Sequence, residues 1–166
     1  KLESIPGFNV RLDFHSFQSQ VEKVGCAIVG QTMEVCPADR KLYALRDVTG
    51  TIDSLPLICA SILSKKLAEG MMSLVLDVKF GSGAFMKTPQ EAESLGRALC
   101  DIAVESGKQV HVLITRMDEP LGRFIGNSLE VRECLDIMAG RPASGWGKDY
   151  SDTRELTLKL AAHMIL

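Results

Sequence analysis

The sequence lacks the features that mark several large classes of protein. Its 166 residues carry a formal net charge of −2, so there is no overall attraction toward nucleic acid or an acidic membrane surface. No apolar run reaches the roughly 18–20 residues of a membrane span, and the first residues lack the basic and apolar regions of a secretion signal. We therefore expect a cytoplasmic protein that has neither a nucleic-acid nor a membrane partner.

Cysteine and histidine are few and scattered. The five cysteines form no CxxC pair, and their odd number and apolar surroundings predict buried thiols in a reducing compartment. His15, His111 and His163 share no ligand spacing with each other or with a cysteine. The sequence therefore predicts no zinc site.

The composition, with 46% hydrophobic and 24% charged residues, is that of one globular domain or most of one. The first residue is Lys1 rather than methionine, and the last residues lie inside an apolar helical pattern. We therefore expect the chain to be part of a longer protein.

Short apolar runs alternate with helical patterns along the chain. Three runs predict buried strands: CAIVG from Cys26, SLVLDVKF from Ser73 and QVHVLITR from Gln109. Helices are predicted at 14–25, 53–69, 88–107, 127–140 and 151–166, and a polar loop leading to a helical turn at 36–43. Thr88 and Glu91 predict a capping box at the start of one helix. The alternation predicts an α/β domain of three layers, with a largely parallel sheet flanked by helices.

The first candidate site lies on the helix predicted from Asp53 to Glu69. Ser61 and Lys65 are four residues apart and project from one face, while Arg46 precedes this helix and adds a further donor. These side chains could hold a planar polar ligand. Alternatively, Lys65 and Lys66 are a solvated pair favoured by the helix dipole.

The second candidate is the glycine loop GSGAF after the strand that begins at Ser73. Ligands of open α/β sheets bind beyond the carboxyl ends of strands, where glycine lets the backbone come close. The loop matches neither common nucleotide-phosphate motif, so a purely steric need for glycine is the stronger interpretation. On the strand itself, where Asp77 and Lys79 alternate, Lys79 could simply pair with a carboxylate.

The third candidate is the segment MDEPLGRFIGNSLEVREC. Glu130 and Glu133 occupy adjacent edges of one helical turn, where they could form a solvated face or could ligate a hard cation together with backbone carbonyls. From the residues alone, a solvated face is the stronger interpretation.

Three motifs in order, YALRDVTGTIDSLPLICASILSKKLAEG, VLDVKFGSGAFMKT and MDEPLGRFIGNSLEVRE, closely resemble the thymidine and pyrimidine-nucleoside phosphorylase family. The resemblance extends to about Gly140. It implies a catalytic α/β domain of the nucleoside phosphorylase and phosphoribosyltransferase type, present here as residues 1–166. It also implies that an N-terminal helical domain and a C-terminal domain are absent from this chain.

The resemblance also assigns residues to roles. Arg46, Ser61 and Lys65 would hold the pyrimidine base, with Arg46 and Lys65 acting in catalysis. Tyr43 and Ile58 would line the same pocket. The resemblance further implies a monovalent cation, with the ligands Leu121, Phe124 and Glu133, and no other cofactor.

The implied reaction is the reversible phosphorolysis of thymidine, or of uridine and deoxyuridine, with phosphate as co-substrate. The family's full-length proteins are homodimers. The family's phosphate-binding signature precedes the KLE with which this chain begins, so we expect no turnover by the 166-residue chain alone.

Two alternatives remain at this stage. The chain could be a non-catalytic α/β module that binds a nucleobase or a partner. It could also belong to a phosphoribosyltransferase of related fold, which would share the scaffold but not the pattern of Arg46, Ser61 and Lys65.

Overall fold

The computed structural model describes residues 1–30, 36–141 and 150–165, which form two compact units. One unit comprises Lys1–Val35 and Gly122–Tyr150, and the other comprises Cys36–Leu121 and Ser151–Leu166. The helices are α1 (Phe14–Val24), α2 (Pro37–Thr49), α3 (Leu55–Ala68), α4 (Pro89–Glu105), α5 (Asn127–Met138) and α6 (Ser151–Ile165). The strands are β1 (Ser73–Phe80) and β2 (Gln109–Arg116).

The first unit contains α1, α5 and a short 3-10 helix at Leu2–Ser4, which contacts α5. The Asp13 side chain caps α1 by accepting the Ser16 backbone N–H at 2.8 Å. Gly25 ends the helix with a φ of 87°, which a residue with a Cβ rarely adopts.

The second unit contains a parallel sheet with helices on both faces. β1 pairs with β2 from Ser73 opposite Gln109 to Phe80 opposite Arg116, and α4 forms the crossover between them. Because side chains alternate along a strand, the even-numbered residues of both strands face α4 and the odd-numbered residues face the other way. On that second face the ring of His111 lies 5.3 Å from the ring of His163 on α6. The predicted three-layer α/β arrangement is therefore confirmed in this unit.

The hydrophobic core of this unit lies between α3, β1 and α4. Its buried members are Cys59, Leu63, Leu74, Val78, Ala92, Leu95, Leu99 and Ala103. Gly96 allows α4 to approach β2, because a Cβ at this position would lie 2.9 Å from Cγ1 of Val112. The predicted capping box is present, with Thr88 Oγ1 accepting the Glu91 N–H and Glu91 accepting the Thr88 N–H, both at 3.2 Å.

The prediction of a strand at Cys26–Gly30 is wrong. This stretch forms no strand, and its backbone hydrogen bond is from the Gly30 N–H to the Val10 carbonyl at 2.8 Å. A short apolar run becomes a strand only when a neighbouring chain segment supplies a ladder of hydrogen bonds. The described sheet accordingly has two strands rather than three.

The prediction of a polar loop at 36–43 is also wrong, because α2 begins at Pro37. Leu42, Leu45 and Val48 recur at helical spacing, although all three are exposed and Arg46 is the buried residue of this helix. The ends of the helix are also marked in the sequence. Pro37 occupies the first turn, and Gly50 ends the helix with a φ of 64°.

Two smaller expectations also change. The N-cap of α5 is Gly126, one residue before the start that we predicted. All five cysteines are free, as predicted, but Cys26 and Cys134 are exposed and only Cys59 is buried. Burial raises the pKa of the Cys59 thiol.

No helix in the described part of the chain is long and apolar enough to cross a membrane.

Candidate functional site

One face of α2 carries Asp39, Tyr43 and Arg46. These residues are spaced i, i+4 and i+7, so they follow one another along the same side of the helix. Asp39 lies in the first turn and Arg46 in the last. Ile58, Ser61 and Lys65 form a similar stripe on α3, and α2 packs against α3.

A cavity of about 400 Å³ in the second unit brings most of the predicted base-binding residues together. Tyr43, Arg46, Ile58 and Ser61 all line it. Its size is within the range of roughly 300–1,000 Å³ that is usual for small-molecule sites. Lys65 does not line the cavity itself, but it donates a hydrogen bond to Ser61, which does line it.

Arg46 is held firmly at the cavity wall. It is only 5% exposed, and its guanidinium donates to the carbonyls of Ile52 and Leu57, the latter at 3.1 Å. The guanidinium carbon also lies 5.2 Å from the centre of the Tyr43 ring, which is close enough for a cation–π contact. Since a guanidinium has five N–H groups, these bonds orient Arg46 and leave donors for a ligand.

Lys65 bonds to two side chains at once. Its Nζ donates to a carboxylate oxygen of Asp39 at 2.7 Å and to Ser61 Oγ at 2.9 Å. The Lys65 side chain is 28% exposed and that of Asp39 is 10% exposed, so this ion pair is largely shielded from solvent. Lys66 differs, because it forms a more exposed pair with Glu69 at 3.1 Å.

The electrostatic balance keeps Asp39 ionised. Burial raises the pKa of its carboxyl, but hydrogen bonds from Lys65 and Ser61, with the positive charges of Lys65 and Arg46, outweigh this effect. The net result is a pKa below the ordinary value. The site thus combines two cations with one partly buried anion beside the cavity.

The glycine loop after β1 is tied to the residues that follow β2. The Ser82 N–H donates to Asp118 Oδ1 at 2.9 Å, and the Gly83 N–H donates to the Met117 carbonyl at 2.8 Å. A Cβ at Gly81 would lie 2.5 Å from Asp118 Oδ1. These glycines therefore allow the two segments to lie close together. Because the N–H groups of Ser82 and Gly83 are already hydrogen-bonded within the protein, they are not available to bind a phosphate.

Asp77 and Lys79 of β1 form a second polar cluster that lines the cavity. Lys79 Nζ lies 2.8 Å from the Asp77 carboxylate and donates to Thr115 Oγ1 at 2.9 Å. Lys79 therefore pairs with a carboxylate, as expected, and the structure shows that this carboxylate is Asp77.

Glu133 organises a loop in the first unit. Its carboxylate is buried and accepts the backbone N–H groups of Arg123 at 2.7 Å and Phe124 at 3.2 Å. Gly122 allows this approach, because a Cβ there would lie 2.6 Å from Glu133 Oε2. Leu121, the third predicted cation ligand, belongs to the other unit, so the cation site remains a prediction. Across the described residues, no three His, Cys, Asp or Glu side chains cluster as metal ligands.

Sequence analysis missed Asp39 and Asp118. Asp39 could have been found from the spacing of Asp39, Tyr43 and Arg46, had residues 36–43 been predicted as a helix. The bond from Ser82 to Asp118 had no such signal, because Ser82 follows a different strand. The hydrogen bond to Ser82 and the ion pair with Arg116 lower its pKa.

Comparison with known proteins identifies the class of the chain. All of it, residues 1–166, matches the glycosyl transferase family, a/b domain, and the chain belongs to this family. The predicted resemblance is confirmed by relatives named thymidine phosphorylase and pyrimidine-nucleoside phosphorylase.

Three relatives show how far the similarity extends. The thymidine phosphorylase of Sinorhizobium medicae (strain WSM419) is 55% identical over 143 residues, which are 86% of this chain and 33% of the relative. The thymidine phosphorylase of Agrobacterium fabrum (strain C58) is 49% identical over 100% of this chain and 36% of the relative. The pyrimidine-nucleoside phosphorylase of Staphylococcus aureus (strain USA300) is 47% identical over 100% of this chain and 37% of the relative. The chain therefore spans about a third of the length of these relatives.

Proposed function

We propose that this chain is the central part of the catalytic α/β domain of a pyrimidine-nucleoside phosphorylase and supplies its base site. The whole protein would catalyse the reversible phosphorolysis of thymidine, or of uridine and deoxyuridine. The names of the relatives support this proposal. The observation that carries it is the shared cavity of Tyr43, Arg46, Ile58 and Ser61, with the Lys65 ammonium hydrogen-bonded to Ser61.

The chemistry suits this set of side chains. A phosphate oxygen forms a bond to C1′ of the sugar while the C1′–N1 bond breaks, and the electron pair of that bond leaves with the base. The products are the pyrimidine and (2-deoxy)ribose 1-phosphate. Negative charge develops on N1 and spreads to O2 and O4 of the ring, so cationic donors aimed at these oxygens lower the barrier.

Arg46 and Lys65 would be those donors, and Ser61 would orient the ring. Arg46 is buried and fixed by backbone carbonyls, so it needs little reorganisation during the reaction. Removing one such fixed donor typically costs about 3–4 kcal/mol of transition-state stabilisation. Tyr43 and Ile58 would line the pocket, Tyr43 with its ring beside the Arg46 guanidinium.

The remaining parts of the proposal concern the whole protein. Phosphate would be the second substrate, held outside these 166 residues, and the enzyme would act as a homodimer. We place it in the cytoplasm, because five free cysteines suit a reducing compartment.

We also propose Glu133 and the backbone carbonyl of Phe124, both in the first unit, as ligands of a monovalent cation. A carboxylate offers about four lone-pair positions, and two backbone N–H groups use only two of those on Glu133. A bound cation would neutralise this buried carboxylate and stabilise the loop before α5. It would take no part in bond breaking.

The test is a phosphorolysis assay of the complete protein with thymidine and uridine in parallel. Arg46→Ala and Lys65→Ala should each lower kcat/KM by at least a hundredfold, because each removes a transition-state donor. Lys66→Ala, a neighbouring lysine paired only at the surface, is the matched control and should keep full activity. Absence of phosphorolysis, or full activity in both Arg46 and Lys65 variants, would contradict the proposal.

A further inference from the structure

We infer that the paired side chains of Asp77 and Lys79 bind the hydroxyl groups of the nucleoside sugar, with Thr115 as the residue that positions them. The inference rests on the proposed function, because the sugar belongs to the substrate proposed for the cavity. It adds a sugar subsite, built on the strands, to a base site that is built on α2 and α3.

The cluster lies toward the carboxyl ends of the two parallel strands. Asp77 and Lys79 are two residues apart on β1, so their side chains leave the sheet on the same face. Thr115 of β2 lies opposite Lys79 in the register and shares that face. Ligands of open α/β sheets bind beyond the carboxyl ends of the strands. The fold therefore places a cation, an anion and a hydroxyl close to where a ligand is expected.

The hydrogen bonds within the cluster have fixed directions. Lys79 Nζ lies 2.8 Å from Asp77 Oδ2 and donates to Thr115 Oγ1 at 2.9 Å. The Thr115 hydroxyl in turn donates its proton to Asp77 Oδ1. No other direction is open, because an ammonium only donates and a carboxylate only accepts. The three bonds form a closed ring that holds the Lys79 ammonium in one position.

The cluster retains hydrogen-bonding capacity on the side of the cavity. Among the described residues Lys79 bonds to two partners, so one of its three N–H groups remains. In the same part of the chain, the Asp77 carboxylate uses two of its roughly four lone-pair positions. Asp77 and Lys79 line the cavity that Arg46 and Ser61 also line, whereas Thr115 does not. The pair thus offers a ligand one donor beside free acceptor positions.

The charge of the pair decides which class of ligand it suits. Asp77 and Lys79 carry opposite charges 2.8 Å apart, so repulsion from the carboxylate largely cancels the attraction of a phosphate to the ammonium. A hydroxyl group is neutral and both accepts and donates. It can accept from Lys79 and donate to Asp77 at the same time. A nucleoside carries such hydroxyls on the sugar attached to its base.

The surroundings of the pair favour specific binding. Each of the two side chains is 21% exposed, and hydrogen bonds in a shielded place are stronger than those at the surface. Much of the remaining wall is apolar and comes from α3, β1 and α4, namely Ile58, Ile62, Leu76, Val78, Leu95 and Leu99. A few polar groups in an apolar wall usually fix the orientation of a ligand.

The experiment is a calorimetric titration of the 166-residue chain with 1-methylthymine and with thymidine. The two ligands share a base that is blocked at N1 and differ by the sugar. The parent should bind thymidine about tenfold more tightly, the effect of one hydrogen bond to a charged group. Lys79→Met keeps the length of the side chain but removes the ammonium. It should lower thymidine affinity about tenfold and leave the affinity for 1-methylthymine unchanged.

Thr115 tests the positioning role. Thr115→Val keeps the shape of the side chain but removes one of the bonds that hold Lys79. Thymidine affinity should fall about threefold, as for one neutral hydrogen bond, while the affinity for 1-methylthymine stays the same. Thr115→Ser restores the hydroxyl and should restore the parent affinity for thymidine.

Two further variants keep the test specific. Lys66→Met makes the same chemical change in the surface pair with Glu69 and should leave both affinities unchanged. The double variant Asp77→Asn with Lys79→Met removes both charges together and leaves no unpaired carboxylate. It should show the same loss of thymidine affinity, so it replaces Lys79→Met if that variant does not fold.

The outcomes separate this inference from the proposed function. A parent chain that binds neither ligand would overturn the base site and the inference with it. A parent that binds both ligands equally would overturn the sugar subsite and leave the base site standing. The same conclusion follows if folded Lys79→Met keeps the preference for thymidine or loses both affinities alike. Titration with inorganic phosphate gives the last comparison: binding by the parent that Lys79→Met abolishes would show an anion site and overturn the assignment to hydroxyls.

Discussion

Two regions of the second unit looked most like ligand sites in the sequence. They differ in how many hydrogen-bond donors remain available to a ligand. Between α2 and α3, charged side chains bond to one another and to backbone carbonyls, yet Arg46 and Lys65 retain donors beside a cavity. In the glycine loop, the N–H groups of Ser82 and Gly83 are used by Asp118 and Met117. The first region is therefore arranged to bind, and the second to join the ends of two strands.

The difference follows from the kind of group that each region offers. A lysine or arginine carries three or five N–H donors, so structural bonds can fix its position without using them all. A backbone amide carries only one N–H, and once it is bonded nothing is left for a ligand. A glycine-rich loop is consequently a poor guide to a binding site until the partners of its amides are known.

The largest effect should come from adding a methyl group to the glycine loop. Gly81→Ala places a Cβ 2.5 Å from Asp118 Oδ1 at a φ of 117°, so we expect the free energy of unfolding to fall by about 3 kcal/mol. Denaturant titration measures the loss. Gly70→Ala is the matched control: its φ of 73° is also strained, but nothing lies within 4 Å, so its loss should be only about 1 kcal/mol. Equal losses would show that the contact with Asp118 does not matter.

The next largest effect should separate two adjacent lysines on α3. Lys65→Ala removes the donor beside Ser61 and leaves Asp39 unpaired, so uracil affinity should fall about tenfold to a hundredfold. Lys66→Ala removes only a surface pair with Glu69 and should not change the affinity. Calorimetric titration of both variants provides the comparison. Unchanged uracil affinity in both variants would favour a solvated lysine pair without a binding role.

A smaller effect is expected at the start of α4, close to the glycine loop. Thr88→Ala breaks the capping box and should lower the free energy of unfolding by about 1 kcal/mol while uracil affinity stays the same. Thermal denaturation and titration measure the two quantities. Ser94→Ala, within the same helix, should cost nothing, because its hydroxyl only bonds back to the Gln90 carbonyl. A loss of uracil affinity in Thr88→Ala would link α4 to the base site.

The smallest effect should be the pH dependence of the bond between Asp39 and Lys65. The folded pKa of Asp39 is below its ordinary 3.8, so its stabilisation is complete above that pH and is lost as the pH falls through the folded pKa. We expect the parent to exceed Asp39→Asn in stability by less than about 1 kcal/mol at pH 7, because the lysine remains partly in solvent. The gap should close below pH 3.8. A gap that persisted in acid would mean that Asp39 acts by packing rather than by charge.

Asp118 provides the matching measurement in the glycine loop. Its pKa is also lowered, by the Ser82 N–H and then by Arg116, so Asp118→Asn should show an acid dependence of the same sign. Only the Asp39 variant should also weaken the binding of uracil, because Asp39 holds Lys65 beside Ser61. A loss of uracil affinity in Asp118→Asn would contradict the separation of the two regions.

Local sequence by itself determined most of the secondary structure and the type of fold. The capping box of Thr88 and Glu91, the glycines that end helices, and the two longer apolar runs are signals carried by neighbouring residues, and they gave α4, β1 and β2 correctly. The order of three motifs was sufficient to predict the family, which the comparison confirmed. Each of these features depends on residues that are close together along the chain.

Tertiary structure decided which apolar run became a strand and which distant residues became hydrogen-bond partners. CAIVG is apolar enough for a strand but forms none, and the polar start of α2 became a helix whose role depends on its packing against α3. Asp39 meets Lys65 across a separation of 26 residues, and the Asp118 side chain meets the Ser82 N–H across 36. A charge or a hydrogen-bonding group gives no sign in the sequence of which distant partner will satisfy it, because that partner is chosen only when the helices and strands pack together.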